Sequence, residues 1–221
     1  MIDLGHWDLS IPEGDPVVVI TSPQLVAGYS DQYFKPDGST IRFWAPVSGT
    51  STNLSDYPRT ELREAYADGT PRNWKYTEGT ATLSARMEVN QLPSVGAVII
   101  GQIHAKDNPY PFLKLSYRMD RGVGYLDVTL RRKPSDASSP VVLTYKSMPL
   151  DTAFDYSFKV SPSGRLDVEV AGLQYSTTIN TAWAKKAFYF KAGNYIPDNQ
   201  GPATEGGRVT VHALQVGHQA K

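Results

Sequence analysis

Apolar and polar residues alternate with a period of two along most of the chain, the pattern of strands buried on one face. The segment Gly79–Gln91 (GTATLSARMEVNQ) shows it most cleanly. Shorter segments follow the same rule at Thr40–Pro46, 96–106, 112–119, 124–132, 140–146, Phe154–Val160, Arg165–Val170, Leu173–Thr178, 187–195 and 208–216. Within 112–119 the alternation sets Lys114, Ser116 and Arg118 on one face. The β-branched run at 17–21 (VVVIT) predicts a buried strand. Turn residues punctuate the series at 11–14, 36–39 and 161–164. Only 180–186 (NTAWAKK) reads as briefly helical. Many short strands at regular spacing with little helix predict an all-β fold, an antiparallel β-sandwich of the jelly-roll type, as one domain over residues 1–221.

Composition narrows the chemistry. With 40% hydrophobic residues in 221, the chain is long enough for one large core. It has no cysteine, which removes disulfides, thiolate nucleophiles and zinc–cysteine sites. Lys plus Arg and Asp plus Glu both number 22, so the formal net charge is zero and no nucleic-acid partner is expected. An anionic ligand must then meet local basic clusters rather than a whole-protein field. No apolar run approaches the roughly 18–20 residues of a membrane span, so no membrane partner is expected. The opening residues lack a basic stretch and an apolar stretch, so no secretory signal is read. Cytoplasmic, trimmed and otherwise exported forms all remain open. The histidines His6, His212 and His218 show no metal-ligand spacing, and no metal site is expected.

Three stretches carry candidate chemistry. In Arg59–Glu64 (RTELRE), a strand puts Arg59, Glu61 and Arg63 on one face, with the carboxylate between two guanidiniums. Such a rack suits a ligand bearing carboxylates along its length; the plainer alternative is a solvated face of paired charges. In 101–106 (GQIHAK), Gln102 and His104 share a face, an amide donor beside a group that moves protons near neutral pH. In 189–195 (YFKAGNY), Tyr189, Lys191, Gly193 and Tyr195 share a face. Lys191 offers a carboxylate anchor, Gly193 room for a close approach, and Tyr195 a phenol as acid or base. An ordinary polar strand and an ordinary aromatic strand are the alternatives.

Taken together, RTELR, QIH and YFKAGNY resemble the three signatures of polysaccharide lyase family seven, the jelly-roll alginate lyases, in the same order. The motifs span 59–195, and the chain departs from the family after Tyr195, where it reads IPDNQ. The resemblance implies a concanavalin-like sandwich whose concave sheet forms the substrate cleft. It also implies a monomer that needs no cofactor and cleaves an anionic polysaccharide, alginate, endolytically by β-elimination. Arg59 and Gln102, with His104 nearby, would neutralise the carboxylate beside the C5 proton, as an oxyanion hole does. His104 would be the base for one C5 epimer; Tyr195 would protonate the leaving O4 and serve as base and acid for the other epimer. A base role for Tyr195 requires the arginine field to lower its pKa. Arg63, Lys191 and Tyr189 would bind neighbouring sugars, and Glu61 would orient the arginines. The isoleucine of QIH weakly favours guluronate-containing or mixed blocks. Loops at 48–56, 105–111 and 197–207 are the expected cleft walls.

Two other readings share the fold. A retaining glycoside hydrolase needs two carboxyls about 5–5.5 Å apart, and Asp167 with Glu169 is the best same-face pair. A carbohydrate-binding module would stack sugars on exposed aromatics, with Trp44, Trp74 and Trp183 as candidates.

Overall fold

The structure is a computed structural model that describes residues 2–52 and 55–221. Its strands are β1 (Trp7–Ser10), β2 (Val19–Ile20), β3 (Phe34–Asp37), β4 (Thr40–Pro46), β5 (Arg59–Glu64), β6 (Gly79–Gln91), β7 (Ala97–Ala105) and β8 (Leu113–Asp120). They continue as β9 (Val123–Leu130), β10 (Val141–Lys146), β11 (Phe154–Val160), β12 (Arg165–Val170), β13 (Leu173–Thr178), β14 (Phe188–Tyr195) and β15 (Gly206–Ala220). All pairings are antiparallel and form two sheets. One has the order β10-β9-β8-β7-β14-β5-β1-β2, the other β13-β12-β11-β6-β15-β4-β3. The central neighbours in each sheet are distant in sequence, which is the jelly-roll arrangement expected from the alternating pattern.

The inward positions of both sheets interdigitate. Leu9, Leu62, Ile103, Phe188 and Phe190 from the first meet Phe43, Leu83, Met87, Phe158 and Val209 from the second, all at 0% exposure. That continuous apolar layer supplies the stability a cysteine-free chain needs. Among the described residues no helix is long and apolar enough to cross a membrane.

Two local expectations change. The 17–21 run is an edge, not a buried strand: Val18 and Val19 are 38% and 50% exposed, and Ile20 alone of the three points inward. β2 pairs with β1 through two residues at the end of its sheet, so among the described residues no strand pairs with its outer flank. Directly after it, α1 (Ser22–Val26) is a helix that the alternation does not reveal. Its five residues hold too little of a 3.6-residue period to read, but Thr21 and Gln24 close a capping box, with the Thr21 N–H donating to Gln24 Oε1 at 2.9 Å. The 180–186 segment is helical only as a 3-10 turn at Thr181–Trp183.

Candidate active site

The three motifs occupy adjacent strands in the middle of the eight-stranded sheet, β5 beside β14 beside β7. Register brings them together. Arg63 faces Lys191 and Arg59 faces Tyr195 across β5–β14; Lys191 faces Gln102 and Tyr189 faces His104 across β14–β7. Residues opposite one another in a ladder share a face, so segments far apart in sequence form one surface.

That surface is not a solvated charge pattern. Arg59 is 8% exposed, Lys191 9%, Gln102 2% and Glu61 1%. Glu61 sits at the centre, accepting from Gln102 Nε2 at 2.5 Å and from Arg59 Nη1 at 3.2 Å, and pairing with the Lys191 ammonium. Burial pushes the Glu61 carboxyl up, but Lys191, Arg59 and the hydrogen bonds outweigh it and hold the group below its usual range. Burial lowers Lys191 to about 8, against the pull of Glu61 and with the push of Arg59.

His104 and Tyr195 stand at opposite ends of this floor. The His104 ring stacks on Tyr189, with centroids 5.3 Å apart and planes 21° from parallel. Its Nδ1 lies 3.0 Å from the Ala105 carbonyl oxygen, which can only accept, so Nδ1 carries the proton and Nε2 keeps its lone pair. Burial, then the Lys191 charge, lowers the imidazole to about 4, so it is neutral at pH 7. The Arg59 guanidinium lies over the Tyr195 ring, 3.9 Å from its centroid, and the Tyr195 hydroxyl is 3.0 Å from Ser55 Oγ.

Above the floor is a cleft of about 400 Å³. Thr52, Ser55, Asp56 and Tyr57 wall it at the Arg59–Tyr195 end of the strands, and residues 108–111 wall it at the His104 end. Because the walls stand at opposite strand ends, the cleft runs across the strands. Of the expected walls, residues 52, 55 and 56 of 48–56 and residues 108–111 of 105–111 line the cleft, while residues 53 and 54 lie outside the described residues. Of the third, Pro197 borders the cleft, while Asp198 and Glu205 instead accept from the backbone N–H groups of Val95 and Ser94. A larger hollow of about 520 Å³ near Leu4, Leu25 and Ile41 is mostly apolar, and among the described residues no Lys or Arg lines it to hold an anionic chain.

Two expected partnerships differ. Glu61 orients Arg59, Lys191 and Gln102 rather than both arginines. Arg63 is not among the cleft-lining residues: its guanidinium donates to the carbonyl oxygens of Glu64 and Arg72 (3.0 Å for the latter) and to Asn73 Oδ1 at 2.7 Å, and lies over Tyr189 at 4.0 Å. With its donors directed at the 72–73 backbone and side chain, it braces the stacked Tyr189–His104 pair. Gly193 also has a different reason. At φ +139°, an added Cβ would meet the Thr60 carbonyl oxygen at 2.9 Å, so the close approach is by β5.

Sequence reading placed Ser55 only within an expected wall and missed Lys114 and Glu64. The face shared by Lys114, Ser116 and Arg118 was a visible signal, but its neighbour β7 was not. Glu64, on the core side of β5, is fully buried and accepts from Trp74 Nε1 at 2.8 Å and the Phe190 N–H at 3.0 Å, and pairs with His218. It ties β5 to β14 beneath the cleft.

The hydrolase reading loses its acidic pair and the binding-module reading two of its three tryptophans; Trp44, on the other sheet, is half-buried beneath Arg208. Asp167 lies on the other sheet, bonded to Arg165 at 2.8 Å and Ser176 at 2.6 Å. Among the described residues Asp56 is the single carboxylate lining the cleft, too few for paired-carboxyl hydrolysis. Trp74 and Trp183 are 7% and 0% exposed, so they are core and not stacking platforms. Of the remaining histidines, His212 faces Glu88 at 3.2 Å and His6 faces Asp3 at 3.8 Å.

A jelly-roll sandwich with a cationic, amide-bearing cleft crossing its central strands, and a neutral histidine and a tyrosine at either side, is the architecture of a polysaccharide lyase. Residues 2–218 match the family described as alginate lyase, and the chain belongs to that family. It is similar to the alginate lyase of Pseudomonas aeruginosa, with 39% identity, a TM-score of 0.95, and coverage of 98% of this chain and 100% of that one. It is similar also to alginate lyase A1-II', a member of polysaccharide lyase family seven, with 30% identity, a TM-score of 0.88, and coverage of 100% and 97%. A variant of that enzyme with a His→Asn and a Tyr→Phe substitution has been solved with a substrate, GGMG; it is 30% identical to this chain with a TM-score of 0.87 and coverage of 100% and 95%.

Proposed function

We propose that this alginate lyase cuts 1,4-glycosidic bonds inside the alginate chain by β-elimination, and that the sandwich over residues 1–221 is one catalytic domain. The observation that carries the proposal is the Glu61-centred floor of Arg59, Gln102 and Lys191, flanked by a neutral His104 and by Tyr195. The uronate carboxylate lies against Arg59 and Gln102, with His104 beside it. Cations and an amide at that carboxylate stabilise the charge that grows on it as C5 loses its proton.

His104 Nε2, its lone pair free, takes the C5 proton. A neutral imidazole is ready for this at pH 7, and the arriving carboxylate, an anion beside it, raises its basicity from the lowered resting value. The electrons of the C5–H bond form the C4–C5 double bond, the C4–O4 bond breaks, and Tyr195 Oη gives its proton to O4. For the opposite C5 epimer the proton faces the other side, and Tyr195, acting from its phenolate form, takes it and returns it to O4. Lys191 and Tyr189 bind adjoining parts of the polymer, Lys191 through its ammonium at the floor and Tyr189 beside His104. Side chains supply all of this chemistry without a cofactor. The substitution of one histidine and one tyrosine in the relative solved with substrate is in keeping with these roles. Internal cutting is supported by the direction of the cleft, since the sheet continues three strands beyond β7 and two beyond β5.

The test follows ultraviolet absorbance of the unsaturated uronate on polymannuronate, polyguluronate and mixed-block alginate. The protein should generate the signal with an early fall in viscosity, and His104→Asn and Tyr195→Phe should each abolish it on at least one block type. Full turnover by both variants on every block would overturn the roles of His104 and Tyr195. Signal growth without an early viscosity fall would overturn internal cutting.

A further inference from the structure

We infer that Lys114 anchors the carboxylate of a second uronate, one unit along the polymer from the sugar held at Gln102; this rests on the lyase reading above. Lys114 stands near the start of β8 and faces Gln102 across the β7–β8 ladder. It completes a row of cleft-lining residues, Lys191–Gln102–Lys114, that crosses three neighbouring strands. Neighbouring strands are about 4.8 Å apart, close to the length of one pyranose unit. A uronate polymer lying in the cleft therefore presents its next sugar over β8 when one sugar rests over β7.

Lys114 lines the cleft and is half-buried, yet among the described residues no carboxylate lies within ion-pairing distance of its ammonium. Lys191, by contrast, is neutralised by Glu61. The charged group nearest in effect is Arg131, a like charge, whose guanidinium is held by the backbone carbonyls of Pro111 (3.3 Å) and Asp136 and lies over Tyr110 at 4.6 Å. Burial, then the Arg131 charge, lowers the Lys114 ammonium from its usual range. A cleft-lining ammonium that feels a like charge and, among the described residues, has no carboxylate partner is a place that an anionic ligand completes. A lysine there discriminates a uronate from a neutral sugar at that position, which the catalytic groups over Gln102 do not do for the next unit.

The test is equilibrium binding of a graded series of oligouronates, from dimer upward, to the Tyr195→Phe protein with and without Lys114→Met. With Lys114 present, affinity should step up at the length that first reaches β8. Lys114→Met should remove that step, by about tenfold for one charge-assisted contact, and leave shorter oligomers unchanged. Lys114→Arg keeps the charge and should retain the step. A lysine that merely reaches out to water gives the opposite result: equal affinity for both proteins at every length overturns the inference, as does the absence of any affinity. Formation of unsaturated ends by the unsubstituted protein is scored separately, so a failure of the lyase reading and a failure at Lys114 are told apart.

Discussion

The Gln102 side-chain amide donates to Glu61 Oε1 at 2.5 Å, which fixes the amide that faces the substrate by way of a carboxylate that does not line the cleft. The same carboxylate pairs with Arg59 and Lys191, so one buried anion sets the position of three cleft groups. Glu61→Gln keeps the shape and removes the charge, leaving two buried cations without a partner. Breaking a buried pair in this way costs about 3–5 kcal/mol, and chemical denaturation should register that loss. A change below about 1 kcal/mol, the range of an exposed pair, would contradict the central role of Glu61.

The pH profile follows from two neighbours of that carboxylate. His104 titrates at about 4 in the folded protein against 6.5 as a free side chain. Between those values the unfolded chain binds more protons, so the stability His104 contributes is complete above 6.5 and is lost as pH falls towards 4. Lys191 loses its charge near 8. Since kcat/KM reports the free enzyme, it should show an acid limb near 4 and an alkaline limb near 8. Lys191→Arg should move the alkaline limb upward, because guanidinium does not titrate in that range. An acid limb at 6.5 would mean that His104 is solvated rather than held under Lys191.

The period of two was enough to find nearly every strand, because burial on one face leaves a mark in each strand separately. It also put Arg59, Glu61 and Arg63 on one face. Register leaves no such mark. Lys191 meets Arg63 and Gln102 because β14 lies between β5 and β7, and a shift between Ala192 and Tyr195 sets which residues align. Nor does the alternation say where a long side chain ends. Arg59 and Arg63 start from the same face, but the acceptors at Arg72 and Asn73 draw Arg63 away from Glu61. Edge and core strands of β-branched residues read alike, hence the misplaced run at 17–21.

The placement of Arg63 makes its own prediction. Its planar fork bonds Arg72 and Asn73 while its face covers Tyr189, and lysine reproduces neither arrangement. Arg63→Lys should lower stability by about 1–3 kcal/mol, measured by thermal unfolding, and should lower kcat through the loosened Tyr189–His104 stack with little change in KM. A rise in KM alone would instead make Arg63 a substrate contact.

Gly193 tests how closely β14 must lie on β5. It faces Glu61 in register, its φ is +139°, and an added Cβ would sit 2.9 Å from the Thr60 carbonyl oxygen and 3.1 Å from the Glu61 Cα. Those atoms are backbone, so relief requires the strands to part rather than a side chain to turn. Parting them moves Tyr195 relative to Arg59, and Lys191 relative to Glu61, all within one ladder. Gly193→Ala should therefore cost about 1–3 kcal/mol in stability and lower kcat by at least tenfold on every block type. Were the glycine present only to admit substrate, the alanine protein would keep its unfolding midpoint and lose affinity alone. Unfolding and steady-state kinetics on the same preparation separate the two.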